Sequence, residues 1–496
     1  MKKIKFSKRL ITICLLPVAY CLLTIGCSKS FLEIKPQGQL TSDNFFLTAD
    51  QAVQATNAVY SYLRRWEVHV FSYIGMTDIR SDDADKGSEP TDASFLLDID
   101  NFTDDAGNVA TQTSWGGYYK AIFRANIAIE NIAGITMDET LKKRLIGESK
   151  VLRAYLYFNL VRWYGDIPLV VHPLKSDEYN QKRKPTTEIY AQIVQDLKDG
   201  IDALPEKSQY PSADLGRVTK GTARGLLSEV CLTIGDYAGA EKYASDLIAS
   251  KEYTLYPDYA KIFRVEGENC SESIFEVQCA ASTIDGTSQY NQVQGVRGTP
   301  DLGWGFNRPS DDLVKEFERG DPRRAATVLY EGEVLPDGSA IVQHNPLEIN
   351  ARYNKKAFNP LVVANDNGKG QGNIRLLRYS DIILVYAEAA NENGKINEAV
   401  AAVNQVRARA RGANSNVVPD ITASSKDAVR TAIWHERRVE LAMEQHRWFD
   451  LLRQKRAAEV MKAVGKNFIK GKHELFPIPQ TEIDISAGAL TQNPLY

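Results

Sequence analysis

Apolar residues recur at intervals of three and four along much of the chain. This period predicts helices over Asp50–Arg65, Trp115–Ile132, Asp138–Tyr164 and Thr186–Leu204. Pro185 and Pro205 bracket the last of them. In Val151–Tyr164, the residues Leu152, Tyr155, Leu156, Asn159 and Trp163 share one side and read as a core stripe. Two further segments look alike. Thr219–Ile234 ends in Gly235-Asp236-Tyr237 and resumes at Ala238–Ser250, while Ile374–Asn393 ends in Gly394-Lys395-Ile396 and resumes at Asn397–Arg411. Aligned on the glycines, each has a Glu ahead of the turn (Glu229, Glu388) and an Ala behind it (Ala240, Ala399) at the same spacing. A glycine ends the first helix, the next apolar residue packs back across the turn, and the small alanine lets the two helices approach. That is the logic of tetratricopeptide repeats, in which each pair needs neighbours to cover its apolar face. The pattern therefore predicts a mostly α fold, with tetratricopeptide-like helix pairs forming a scaffold.

The stretch from Lys251 to Gly372 breaks this pattern. It is rich in Gly, Asn and Pro, carries short β-like runs such as Ser273–Val277, and reads as a large irregular, loop-rich insertion. Within it Gly295–Pro309 is a loop, and a second loop, Arg80–Ala93, lies in the N-terminal half. The expected divisions are residues 1–26, a helical region 27–250, the insertion 251–372, and a C-terminal helical region and tail 373–496.

The chain start changes the picture of where the protein works. Lys2, Lys3, Lys5, Lys8 and Arg9 precede an apolar run from Leu10 to Ile25, and Gly26-Cys27-Ser28 follows. A basic stretch, an apolar stretch and small residues at the cut make a secretory signal, and Cys27 sits where a bacterial lipoprotein accepts its lipid. Thr24 stands where such signals usually have Leu, so an uncleaved anchor and a plain secretory signal stay open. The run is shorter than the roughly 20 residues that span a bilayer as a helix. Beyond Cys27 there remain Cys231, Cys270 and Cys279, which form no disulfide framework, although Cys270 and Cys279 are near enough in sequence to pair across a hairpin. Lys and Arg total 60 against 63 Asp and Glu, a balance that argues against nucleic acid as a partner.

Catalytic patterns are missing from the sequence. The six histidines form no HExxH or other metal-ligand spacing, and there is no GxSxG elbow or Walker loop. No cofactor or metal is expected. Glu440 and Glu444 lie one turn apart, but Arg437, Arg438 and Arg447 stand beside them, and the set with Glu436 reads as structural ion pairs. Arg153 and Arg162 read the same way. A carboxylate pair for glycoside hydrolysis needs only spatial proximity, which keeps an exported glycoside hydrolase as an alternative.

Several stretches together resemble one known family. Glu148–Val170 (ESKVLRAYLYFNLVRWYGDIPLV), Glu436–Arg453 (ERRVELAMEQHRWFDLLR), the tail LFPIPQTEID…LTQNPLY, and Phe31–Phe46 near the start are similar to hallmarks of the SusD/RagB family. Leu495 stands where family tails usually carry Gly. The resemblance implies a mostly helical fold on tetratricopeptide-like pairs. It also implies a non-catalytic lipoprotein on the outer face of a bacterial outer membrane. Such a protein caps a SusC-like TonB-dependent transporter and holds oligosaccharides, or in some members peptides, for import. A helical scaffold that binds only proteins is the other alternative.

A sugar offers flat C–H patches ringed by hydroxyls, so aromatic faces and bidentate polar side chains are what capture requires, and few deeply buried charges are expected at such a site. The chain holds 23 Tyr, 17 Phe and 6 Trp. In the insertion, Trp304, Phe306 and Tyr290 are the candidate rings, with Asn291, Gln292 and Arg308 as polar neighbours; Arg80, Asp82 and Asp83 from the second loop are candidates to complete the site. Trp304 serves equally as a plug fixing its loop to the helical body, and Arg80 and Asp82 equally as a salt-bridged turn. Trp115 and Trp448 fall in helical patterns and read as core.

Overall fold

Helices begin where a short polar side chain can cap them, and the long ones pack in series. The structure, a computed structural model, describes residues 45–280, 286–347, 350–360 and 370–496, so Cys27 and the expected signal, residues 1–26, lie outside the described residues. The principal helices are α1 (Ala49–Leu63), α2 (Val109–Ile132), α3 (Glu139–Tyr164), α4 (Thr186–Ala203), α5 (Lys220–Ile234), α6 (Tyr237–Ser250), α7 (Tyr379–Glu392), α8 (Ile396–Arg411), α9 (Lys426–Glu440) and α10 (Arg447–Arg453). Thr48, Asn108, Asp138, Thr219, Asp236 and Ser425 accept hydrogen bonds from first-turn amides. The Asn108 cap starts α2 six residues ahead of the Trp115 expected from periodicity.

The expected helix pairs are present. Gly235 and Gly394 adopt φ of 79° and 85°, and Ala240 and Ala399 are fully buried at the crossings. Helix α3 packs between α2 and α4, α4 against α5, α5 against α6, α6 against α7, and α7 against α8 and α9. This serial stacking is the tetratricopeptide arrangement, and Thr48–Tyr496 forms one compact unit. The stripe on α3 is broader than its period suggests: from Val151 to Val161 every side chain is buried, because helices cover it on more than one side.

One expected helix divides in two. Ile374–Arg378 is a strand, and α7 starts only at Tyr379. Among the described residues, short antiparallel strand pairings link the insertion and loops to the scaffold and to one another. Of these, β1 (Ala84–Gly87) pairs antiparallel with β3 (Phe306–Pro309), and β2 (Ser273–Val277) with β6 (Ile374–Arg378). Within the insertion, β4 (Val328–Tyr330) pairs with β5 (Arg352–Asn354).

Buried charges bind the layers. Arg153 of α3 makes a bidentate pair with Asp196 of α4 at 2.8 Å and donates to Asn126 of α2 at 2.8 Å. Arg378 donates to Glu444 at 2.6 Å and to Glu440 at 3.1 Å, and also reaches Glu272. Glu440 further pairs with Arg323 at 3.1 Å and with Arg409. Arg162 differs from the expected ion pair: its guanidinium lies between the rings of Phe158 and Phe449, 3.8 and 3.6 Å from their centroids.

Candidate functional site

The pairing of β1 with β3 brings together the two loops from which the candidate residues come, but mostly as a buried seam. Phe306 is 4% exposed and packs edge-on against Phe71 at 4.7 Å. Arg308 is fully buried, its Nε donating to the Gly305 carbonyl at 3.0 Å and its guanidinium lying 4.0 Å from the Tyr353 ring centre. Tyr290 is buried with its hydroxyl at Gln445, and Asn291 is buried with its amide donating to the Ala357 carbonyl at 2.9 Å.

Arg80 is buried against Phe102 and Phe476 and paired with Asp104. Asp82 receives two hydrogen bonds from Arg447, at 2.8 and 2.7 Å, and Asp83 one from Arg438 at 2.8 Å. Burial pushes Asp83 up to about 6 even with Arg438 beside it. Seven of the eight expected ligand contacts, Phe306, Arg308, Tyr290, Asn291, Arg80, Asp82 and Asp83, are therefore engaged in buried contacts in and around the seam. They offer a sugar no accessible face. For Asp82 and Asp83 the local pattern could not show this, because their partners are remote: Asp82 meets Arg447 across 365 positions and Asp83 meets Arg438 across 355.

Trp304 is different. Its backbone amide donates to the Gln292 carbonyl at 2.9 Å and the next amide, Gly305, to the Gly295 carbonyl at 2.9 Å, which fixes the loop without using the indole. The ring is half-buried and lies 5.9 Å from Trp66 and 6.2 Å from Phe71, centre to centre. Trp66 is half-buried too and rests on Phe71 at 5.0 Å, and Phe71 in turn rests on Phe95 and Phe306. The two indoles thus cap the buried rings of Phe71 and Phe306 and are themselves only half-buried. Both expected roles of Trp304, plug and platform, are compatible with this placement. Trp66 escapes the sequence reading because it lies just past the predicted end of the first helix, where no local pattern marks a ring that meets Trp304 across the fold.

Polar groups flank this ledge. The Ser88 amide donates to the Gly305 carbonyl at 2.7 Å, next to Trp304. Arg297 reaches Ser88 Oγ at 2.7 Å, Glu89 at 2.7 Å and Asp92. Gln292 and Gln289 are half-buried and joined at 2.8 Å. Rings with a rim of guanidinium, carboxylates and amides match what a sugar face and its hydroxyls require.

Among the described residues, one trio has ligand-like spacing: Glu229, Asp381 and His446, whose donor atoms lie within 4.8 Å of one another. Burial and the neighbouring Asp381 raise Glu229 well above the carboxylate range, and Arg437 pairs with Asp381 at 2.6 Å. The acids on α9 and beyond, Glu436, Glu440 and Glu444, are likewise neutralised by arginines and Lys356. Cys231, Cys270 and Cys279 are free thiols. Among the described residues no helix is long and apolar enough to cross a membrane.

Comparison with known proteins agrees with this architecture. A sequence model described as the SusD family matches residues 271–496, and one described as starch-binding associating with outer membrane matches residues 31–232. SusD-like protein P2 of Formosa agariphila is 28% identical and aligns over 97% of this chain and 98% of its own. A SusD-like protein of Bacteroides ovatus is 26% identical over 87% of this chain and 80% of its own. Among solved structures, a laminarin binding SusD-like protein superposes with a TM-score of 0.77 at 27% identity, covering 90% of this chain and 99% of that one. A SusD homolog from Bacteroides thetaiotaomicron gives 0.79 at 24% identity, covering 92% and 99%, a likeness of fold. The chain belongs to the SusD/RagB family.

Proposed function

We propose that the protein captures oligosaccharides at the bacterial outer membrane, holding them on the Trp66–Trp304 ledge without cleaving them. The two half-buried indoles carry this reading. They are aromatic surface backed by a rigid ring stack, so little side-chain freedom is lost when a sugar covers them. The protein is a binding protein and not an enzyme, in keeping with a solved relative named for laminarin binding. Its clustered buried carboxylates are neutralised by arginine, which leaves them unsuited to proton transfer.

In this reading Cys27 carries the lipid that tethers the chain to the outer leaflet, and a SusC-like TonB-dependent transporter receives the ligand. The division into a helical region 27–250, an insertion 251–372 and a C-terminal region 373–496 then has a functional sense: the scaffold is shared, and the insertion supplies Trp304.

The test is an oligosaccharide panel that includes laminarihexaose, applied to the purified protein and followed by product analysis. Retained, uncut ligand whose binding falls on Trp66→Ala and Trp304→Ala is the expected result. Shortened products would return the glycoside hydrolase. Binding to the transporter with no sugar retained would favour a scaffold that recognises only protein.

A further inference from the structure

A second cavity, sharing no lining residue with the ledge described above, lies between α2, the turn after α3, and the C-terminal tail. Its volume is about 260 Å³, room for one hexose-sized guest. Trp115 and Tyr119, one helical turn apart on α2, form the inner wall with ring centres 5.1 Å apart. The Tyr119 hydroxyl donates to the Pro168 carbonyl at 2.8 Å, which pins the ring and leaves its face to the cavity wall. Val170 lines the cavity as well, and at the rim Tyr179 and Ile485 are 66% and 72% exposed, large apolar side chains spread in solvent around the opening.

Among these rings stands Glu482, on the short tail helix Gln480–Ile485. Its carboxyl has no hydrogen-bond or ion-pair partner among the described residues, whereas the other acids of the tail and seam are paired. Burial alone accounts for the rise of its pKa above the usual range, and no cation is near enough to bring it down. The guanidinium of Arg183, beside Tyr119, is turned to the Asp166 and Thr491 carbonyls at 2.7 and 2.9 Å and to Asn493. A half-buried carboxyl without a counter-charge, walled by Trp and Tyr faces, is complementary to a positive charge. The rings attract a cation through their quadrupoles and the carboxylate through its charge, both in a partly desolvated space.

We propose that this cavity binds an organic ammonium group, with Glu482 as the counter-ion and Tyr119 and Tyr179 as the aromatic walls, Trp115 backing Tyr119 from the core. An amino-sugar and the lysine side chain of a partner protein present the same ammonium chemistry.

The experiment is titration calorimetry on the whole protein with choline, glucosamine, Nα-acetyl-lysine methylamide, glucose and N-acetylglucosamine. The cations should bind, and glucose and N-acetylglucosamine, which lack the charge, should bind about tenfold more weakly or worse. Glu482→Gln should weaken the cations about tenfold at an unchanged melting temperature, and Tyr179→Ala, at an exposed position, should do so as well. Trp304→Ala should leave these cations unaffected, so failure here is separable from failure of the ledge. Stronger binding of the lysine derivative assigns the cation to a protein partner, and stronger binding of glucosamine assigns it to a free amine. Equal binding of glucose and glucosamine, indifference to Glu482→Gln, or no binding of any cation up to about 10 mM would overturn the proposal.

Discussion

Replacing Trp304 by Ala separates the two roles its position allows. The indole contacts Trp66 and Phe71 on one side and is half-buried. A fully buried aromatic truncated to Ala costs about 3–5 kcal/mol of stability. With part of the ring already in solvent, and its loop held by the backbone bonds of residues 304 and 305, the expected loss is about 2 kcal/mol. Stacking is worth about 1–3 kcal/mol per ring in systems where an aromatic side chain covers a flat ligand, or roughly tenfold or more in Kd. The variant should therefore remain folded and lose most of its affinity for a glycan that the parent holds. Calorimetry with that glycan, alongside urea denaturation of both proteins, gives the two numbers. An unchanged Kd would refute the platform, and a stability loss near 5 kcal/mol would make Trp304 a plug. Trp66→Ala should give the same pattern, and the two changes together should cost less than the sum of each alone if both rings stack on one ligand.

Arg378→Met should destabilise the fold by about 3–5 kcal/mol in urea denaturation, since it removes the guanidinium shared by the buried Glu272, Glu440 and Glu444 and leaves them to Arg323, Arg409 and Lys356, and a loss below about 1 kcal/mol would show the network to be dispensable. His69 is held at about 4 by burial, with its ring nitrogens at the Leu63 carbonyl and the Tyr155 hydroxyl. The unfolded chain takes up this proton first, so stability should fall by about 3 kcal/mol from this group as pH drops from about 6.5 to about 4. Asp78, raised to about 6 by burial, acts in the opposite sense because the folded form binds its proton first and offsets part of the loss. His69→Gln should consequently flatten the acid limb of the stability curve, and an unaltered slope would remove His69 from the account. Cys27→Ala should release the protein from membranes or leave its signal uncut, and mature protein without lipid on Cys27 by mass spectrometry would exclude the anchor.

Much of the scaffold was legible because a helix pair writes itself locally. Gly235 and Gly394 stop one helix, Ala240 and Ala399 admit the next, and all four lie within a few residues of the contacts they create. The failure at Ile374–Arg378 has a physical cause as well. The run from Ile374 to Val385 is apolar enough for either a buried strand or a buried helix, and only the partner strand at Ser273–Val277 decides between them. The site was less legible because exposure is not a local property. Phe306 and Trp304 share the same Gly-rich stretch, yet one is sealed by β1 and Phe71 and the other stays half-buried. Charge patterns mislead in the same way: Arg80 and Asp82 look like polar loop residues until Asp104 and Arg447 arrive from elsewhere in the chain.

The two rings of the ledge belong to segments far apart in the chain, joined chiefly through the seam of Ala84–Gly87 with Phe306–Pro309. A ligand lying across both rings is then a removable cross-link between those segments. Occupancy adds RT ln(1 + [L]/Kd) to the free energy of any opening that parts them, about 2.7 kcal/mol at a hundredfold excess over Kd. Amide hydrogens such as those of Ser88 and Gly305, which bridge the seam and its loop, become reporters of saturation: their exchange slows in proportion to bound sugar, while exchange within the α5–α6 pair changes little.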